Sequence, residues 1–120
     1  MVAEEKTNPH LRALIRELRS PHDGKRAPAW RAVAIRLERP RHQLRPVNLG
    51  HLERVASAGE LVVVPTKLLA KGDLKKALHI AALGWSDEAG RKVIAAGGQL
   101  SSLQEAFQSN PQGKGVHIIG

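Results

Sequence analysis

The chain has 120 residues, of which 19 are lysine or arginine and 11 are aspartate or glutamate, so its formal net charge at pH 7 is +8. Because 42% of the residues are hydrophobic, the composition argues against a disordered chain and fits one domain with one core. The basic excess is present in both halves, with 12 basic and 7 acidic residues in 1–60 and 7 and 4 in 61–120, which favours a polyanionic partner.

Several kinds of protein are made improbable by residues that are rare or missing. Only Trp30, Trp85 and Phe107 are aromatic, so shape and phosphate recognition of folded RNA or duplex fits better than base stacking. Without cysteine there is no disulfide or thiolate chemistry. Residues 1–10 lack the apolar segment of a secretory signal, and no apolar run approaches the ~20 residues that span a bilayer. We therefore expect a soluble, intracellular protein without a membrane partner.

Two helices are predicted in the first forty residues. Asn8 and Pro9 fit the N-cap and first position of a helix that ends before Pro21. A second helix starts near Pro28 and is stopped by Pro40. Each helix carries an apolar stripe at the spacing i, i+3, i+4, i+7, so we expect the two to pack as a pair. The stripes are Leu11, Leu14, Ile15 and Leu18, and Trp30, Val33, Ala34 and Leu37.

The stretch from Ile35 to Arg54 is the strongest functional signal. It holds five arginines against two glutamates, and its prolines prevent one continuous helix. A solvated helix face would alternate charges, whereas one repeated sign costs self-repulsion unless an anion is near. The pattern favours a phosphate-binding segment, with an ordinary charged loop as the alternative. The arginines are Arg36, Arg39, Arg41, Arg45 and Arg54.

The second half alternates short strands with short helices, which predicts an α/β fold. Asn48 is expected to cap a short helix with Gly59 as its C′ residue, and a buried strand follows at 61–64, closed by Pro65. Residues 66–73 are expected to form a short strand or irregular loop that exposes Lys67 and Lys71.

Further along, the middle of 74–85 is predicted to be a strand. Ser86 should cap a helix that ends at Gly97 and Gly98, and Ser102 with Glu105 fits a capping box. Residues 116–119 are predicted to form a terminal strand.

Catalytic and metal chemistry find little support. No two of the six histidines have the i, i+4 spacing of a helical metal site, and the sequence from Gly84 to Lys92 fails the P-loop pattern. Gly113-Lys114-Gly115 could let the backbone approach a phosphate, although glycine-flanked lysines are common in turns. We expect neither an enzyme nor a bound cofactor, metal or small-molecule substrate.

An ordered set of short motifs from Thr7 to Ile119 resembles the archaeal and eukaryotic ribosomal large-subunit protein family "eighteen-e", a relative of bacterial large-subunit protein fifteen. The length is similar to that of archaeal members. The motifs are Thr7-Asn8-Pro9, Leu14-Ile15, Trp30 with Val33-Ala34, Arg36-Leu37-Glu38, Pro40-Arg41, Val47-Asn48-Leu49-Gly50, Val62-Val63-Val64-Pro65 with Lys67, Gly72 with Leu74, Ala81-Ala82, Ser102-Leu103, Asn110-Pro111 with Gly113, and Gly115-Val116 with Ile118.

The resemblance implies a non-catalytic constituent of the large ribosomal subunit that binds and stabilises folded rRNA. It also implies an α/β fold built as an irregular superhelix of repeated strand-strand-helix turns with an N-terminal helical extension. Neighbouring large-subunit proteins, including the protein-fifteen relative, would be partners. Three residues depart from the family pattern: Thr66 replaces the usual glycine, and His42 and His117 replace usual arginines.

We therefore expect one rRNA-binding domain over 1–120, with a flexible tail at 1–7, a helical extension at 8–40 and an α/β core at 41–120. The alternative is a general basic nucleic-acid-binding or chaperone protein that does not reside in the ribosome. The residues expected to contact rRNA are Arg36, Arg39, Arg41, His42, Arg45, Lys67, Lys71 and Lys114.

Overall fold

A parallel sheet lies at the centre of the fold, and the predicted α/β class is confirmed. The computed structural model describes residues 9–19, 28–39 and 45–120. Over these residues the helices are α1 (Pro9–Arg19), α2 (Pro28–Leu37), α3 (Leu49–Val55), α4 (Asp87–Ala95) and α5 (Leu103–Ser109). The strands are β1 (Val47–Asn48), β2 (Leu61–Leu69), β3 (His79–Trp85), β4 (Gln99–Ser102) and β5 (Val116–Ile118).

The longest strand, β2, organises the sheet. The order is β1-β2-β3-β4, and β5 also pairs with β2. Every pairing is parallel. Because β3 occupies one side of β2, the other side is shared by β5 next to its beginning, at Leu61, and by β1 next to its end, at Leu68.

Helices cover both faces of the sheet. Val62 and Val64 of β2 point to one face, where α3 and α4 pack, whereas Leu61 and Val63 point to the other, where α1, α2 and α5 pack. A strand buried on both faces needs apolar residues at successive positions, which explains the run Leu61-Val62-Val63-Val64. The predicted packing of the first two helices through their apolar stripes is confirmed, since both stripes lie in one core cluster.

The predicted caps at Ser86 and Ser102 are confirmed, whereas Asn48 stands at the N-cap position of α3 without a side-chain cap hydrogen bond. Ser86 Oγ accepts a hydrogen bond from the Ala89 amide at 3.2 Å, and Ser102 with Glu105 forms a complete capping box. Gly97 follows the end of α4 with a φ of 84°, a conformation that favours glycine. The terminal strand is β5, and the strand predicted within 74–85 is β3.

Two predictions about boundaries are wrong. Pro65 does not close a strand, because β2 continues to Leu69; its register with β3 shifts between Val64 and Lys67, so the missing proline N–H falls at this irregularity. Gly59 is not the C′ residue of α3, which ends at Val55 with Ala56 as C-cap. It lies in a later turn with φ 91°.

The short strands β1 and β4 were not predicted, because they are too short or too polar to show a strand pattern. Gly98 precedes β4, and a Cβ at this position would lie 2.4 Å from the Leu78 carbonyl oxygen. The close approach of the Gly98 and Leu78 backbones places β4 beside β3, and the apolar pattern of β4 contributes less. None of the helices in the described parts of the chain is long and apolar enough to cross a membrane.

Candidate nucleic-acid interface

The two glutamates of the arginine-rich stretch bind partners outside that stretch. Glu38, next to the end of α2, pairs with Arg19 of α1. Glu53 of α3 accepts the backbone N–H groups of Lys75 at 2.8 Å and Lys76 at 3.1 Å, which lower the pKa of its carboxyl group. These carboxylates therefore bind other segments and pair with none of the described arginines of the stretch, which are Arg36, Arg39, Arg45 and Arg54.

Arg36 is partly committed to the protein itself. Its Nε donates to the Gly120 backbone oxygen at 3.2 Å, and its Nη1 lies 3.4 Å from the Ala32 carbonyl oxygen of the preceding helical turn. The side chain thus joins α2 to the residues that follow β5. The residue is half buried, so its remaining N–H groups and its charge lie near the surface.

Arg45 is exposed and lies next to the same end of β5. It lines a depression of about 410 Å³ together with His51 and Gly120. The depression forms where β5 ends and β1 begins along one side of β2. His51 was not among the predicted contacts. Its place in the sequence gives no signal for one, because the depression is formed by residues 45–51 together with Gly120, which is distant in the chain.

Lys71 sits on a turn whose backbone is held from two directions. The Gly50 amide donates to the Lys71 carbonyl oxygen at 2.9 Å. Lys92 Nζ donates to the Ala70 and Gly72 carbonyl oxygens at 2.9 and 3.1 Å. Three successive carbonyl groups are thus bound within the protein, while the Lys71 side chain is exposed.

The structure brings most of the described candidates to the side of β2 where β5 ends and β1 begins, at the carboxyl half of the strand. Lys67 is exposed there, next to the Leu68 position that pairs with Val47, and Arg39 is exposed one turn beyond Arg36. We call this surface the basic edge. It comprises Arg36, Arg39, Arg45, Lys67 and Lys71.

Lys114 lies elsewhere, beside the amino ends of the strands. Asn110 shapes its turn: Asn110 Nδ2 donates to the Lys114 carbonyl oxygen at 2.8 Å, and the Lys114 amide donates to Asn110 Oδ1 at 3.2 Å. Buried Trp30 anchors the turn through a 2.6 Å hydrogen bond from Nε1 to the Asn110 carbonyl oxygen. The predicted footprint is therefore divided between two ends of the sheet.

Most of the described cations have no anionic partner among the described residues. Over 9–19, 28–39 and 45–120, the exposed side chains of five candidates make no hydrogen bond or ion pair: Arg39, Arg45, Lys67, Lys71 and Lys114. Such cations suit external phosphate groups. Arg41 and His42 lie outside the described residues.

Of the three residues that depart from the family pattern, the structure describes two. Thr66 is buried within β2, and His117 Nδ1 lies 3.2 Å from Glu60 Oε1, so the imidazole at this position faces a carboxylate. His42 is not described. No group of three metal-binding side chains occurs in the portion of the chain that the structure covers.

Comparison with known proteins identifies the class to which this protein belongs. Residues 46–101 match the family model for ribosomal proteins 50S-L15, 50S-L18e and 60S-L27A. At the level of single proteins, the chain is 47% identical to large ribosomal subunit protein eL18 of Pyrobaculum aerophilum, over 94% of this chain and 93% of the relative. It is 42% identical to the protein of the same name in Halobacterium salinarum and 40% to that of Archaeoglobus fulgidus, each over 95% of this chain and 97% of the relative.

The chain belongs to the eL18 family of large ribosomal subunit proteins. The resemblance drawn from the motifs is thereby confirmed, including its archaeal character, since these relatives are archaeal. Membership of a family of ribosomal structural proteins also agrees with the expectation that the chain is not an enzyme.

Proposed function

We propose that this protein is a structural constituent of the cytoplasmic large ribosomal subunit, where it binds and stabilises folded large-subunit rRNA. The observation that carries the proposal is similarity along nearly the full length of both chains to proteins named as large ribosomal subunit proteins. The unpaired cations of the basic edge give that role a physical means, because each can replace a condensed counterion on a phosphate group.

The basic edge would position the protein on RNA without reading base sequence. Its arginines offer planar donor groups for phosphate oxygens, and its lysines offer point charges. Specificity would then come from the shape of the folded rRNA and from 2′-hydroxyl contacts. Arg41 and His42 belong to this proposed footprint through the sequence pattern, and Lys114 would contribute a separate contact at the other end of the sheet.

Neighbouring ribosomal proteins are the second class of partner that we propose, including the relative of protein fifteen. The proposal follows from family membership. The exposed surface outside the basic edge is available for contacts with such proteins.

Sedimentation of the tagged protein in lysate of its own cells tests the proposed function. We expect stoichiometric co-migration with the large subunit that survives a moderate salt wash, because many phosphate contacts made together dissociate slowly. Residence in the free pool, or complete loss at the first salt step, would contradict it. Those outcomes would favour a general basic nucleic-acid-binding or chaperone protein instead.

A further inference from the structure

A cleft of about 400 Å³ opens at the amino ends of the parallel strands. We call it the amino-edge cleft. Its walls are largely backbone, because four glycines line it: Gly59, Gly97, Gly98 and Gly115. A planar group can come close to a glycine-lined wall, since no side chain stands in the way. A cleft of this volume falls in the range of small-ligand sites and is far too small for an RNA helix.

Polar side chains border the cleft in a defined row. The strand registers align Val116 of β5, Leu61 of β2, His79 of β3 and Gln99 of β4 across the sheet. Lys114 and Glu60 come just before the first two positions of this row and also line the cleft. Since neighbouring strands lie about 4.8 Å apart, the row from β5 to β4 spans roughly 14 Å. The phosphate, ribose and base of one nucleotide fit within this length.

The β5 end of the row suits a phosphate group. The Lys114 side chain is exposed and has no partner among the described residues, while its backbone is held on both sides by the Asn110 side chain. The ammonium is thus carried on a fixed turn and is free to pair with an external anion.

Next to the β2 position of the row, Glu60 presents a carboxylate of which one oxygen has partners within the protein. Glu60 Oε1 accepts the Ser57 amide at 2.8 Å and lies 3.2 Å from His117 Nδ1. Neither contact uses Oε2, so a fixed acceptor remains available. A carboxylate beside a phosphate-binding cation would repel a second phosphate, whereas it can accept hydrogen bonds from the hydroxyl groups of a ribose.

The far end of the row suits a base. Gln99 is exposed and supplies both a donor and an acceptor, the combination that can pair with a base edge. His79 is also exposed and supplies a flat ring on which a base can stack.

From this order of groups we propose that the amino-edge cleft binds one unpaired ribonucleotide of the RNA partner. Lys114 holds the phosphate, Glu60 accepts from the ribose 2′-hydroxyl, and His79 with Gln99 holds the base. The inference rests on the proposed function, because it takes RNA as the partner. It explains why Lys114 lies apart from the basic edge: it belongs to a separate contact that reads a nucleotide extruded from the RNA fold.

Nuclear magnetic resonance titration of the full-length, 15N-labelled protein tests this proposal. Uridine monophosphate, deoxyuridine monophosphate and inorganic phosphate are added separately at millimolar concentrations. We expect the ribonucleotide to shift the amide signals of Gly97, Gly98 and Gly115, with the deoxynucleotide binding at least about fivefold more weakly. A single-stranded uridine tetranucleotide should shift the same signals at lower concentration, and a blunt RNA duplex should leave them in place.

Matched variants identify the groups. Lys114→Gln and Gln99→Ala should each weaken uridine monophosphate binding about tenfold, whereas Arg91→Gln and Gln108→Ala, which change exposed residues outside the cleft, should not. Heteronuclear spectra of each variant check that it folds.

Three results would overturn the proposal. The glycine signals could fail to shift, the deoxynucleotide could bind as well as the ribonucleotide, or the tetranucleotide could bind no tighter than the mononucleotide, which would indicate a free-nucleotide site. Any of these, together with intact co-sedimentation with the large subunit, would remove the cleft from the interface and leave the proposed function standing. Loss of co-sedimentation with an intact ribonucleotide response would contradict the proposed function and leave ribonucleotide binding in the cleft standing.

Discussion

Gly50 and Gly72 pack backbone against backbone where α3 begins and where the chain turns away after β2. A Cβ on Gly72 would lie 2.6 Å from Gly50 Cα and 2.9 Å from Gly50 N, and Gly72 has a φ of 94°. The neighbouring hydrogen bond from the Gly50 amide to the Lys71 carbonyl oxygen is 2.9 Å long. This contact fixes the turn that exposes Lys71.

Gly72→Ala should therefore destabilise the protein by roughly 2–4 kcal/mol, since it adds both backbone strain and overpacking. Urea unfolding of the variant measures the effect. Gly84→Ala is the control, because a Cβ at Gly84 meets no atom within 4 Å. Equal stability of the two variants would show that the Gly50–Gly72 contact is looser than the structure indicates.

Arg45→Ala should weaken binding to large-subunit rRNA and lower the magnitude of the log–log salt slope by about 0.7–0.9, because one phosphate contact is lost. Arg91→Ala is a matched control, since Arg91 is also exposed, lies on α4 and is not one of the five basic-edge residues. Filter binding over a series of salt concentrations gives both slopes. An unchanged slope for Arg45→Ala would exclude Arg45 from the footprint. Because the sequence pattern includes Arg41, we expect Arg41→Ala to behave in the same way.

Lys92→Met should loosen the turn that carries Lys71, because the Ala70 and Gly72 carbonyl oxygens lose their shared donor. We expect a loss of about 1–2 kcal/mol in the free energy of unfolding. Amide hydrogen exchange should also become faster around residues 70–76.

The same variant tests whether Lys92 positions Lys71 for RNA. In a double-mutant cycle with Lys71→Gln, the effects on rRNA affinity should be non-additive, since Lys71→Gln would have less to lose once the turn is loose. Additive effects would mean that Lys92 stabilises the fold without positioning Lys71. Arg91→Met serves as the control for changing a neighbouring exposed cation on α4.

Stability should fall in acid partly through Glu53 and Glu60. The pKa of Glu53 is lowered by the backbone N–H groups of Lys75 and Lys76, and the pKa of Glu60 by the Ser57 N–H group and by His117. A carboxyl group with a lowered folded-state pKa contributes stability above its ordinary pKa, about 4.5. That contribution is lost as the pH falls through the lower folded-state value.

Glu53→Gln and Glu60→Gln should therefore be less stable than the parent chain at pH 7, and the difference should shrink as the pH falls below about 4.5. Urea unfolding at neutral pH and at several acidic pH values measures this. A difference that stays constant with pH would mean that the lost contribution is packing and not charge.

Trp30→Phe should destabilise the protein by roughly 2–3 kcal/mol. Trp30 is fully buried, packs edge-on against Phe107 with ring centroids 5.7 Å apart, and donates to the Asn110 carbonyl oxygen. Trp85→Phe is the control, because the Trp85 side chain is 37% exposed and its replacement should cost under about 1 kcal/mol. If both substitutions cost the same, Trp30 does not anchor the Asn110 turn.

Local chemistry allowed a large part of the fold to be predicted. Ser86 and Ser102 begin helices because their hydroxyl groups satisfy amides three residues later, and these signals need no tertiary context. The run Leu61-Val62-Val63-Val64 marks a strand buried on both faces in the same way. The prediction at Pro65 failed because proline forbids only one ladder hydrogen bond, and a shift in register with β3 accommodates that loss.

The class of the fold, the places of the helices, the basic excess and the family motifs can all be predicted from the amino-acid sequence, because each depends on residues close together in the chain. Which charges remain available depends on how the chain folds. The tertiary structure pairs Glu38 with Arg19, commits Arg36 to Gly120 and sets Lys114 apart from the basic edge. These contacts join residues far apart in the sequence. Neighbouring parallel strands are connected by long crossovers, so the turns that lie side by side in the fold are distant in the chain. No local sequence pattern therefore predicts which turns will be in contact.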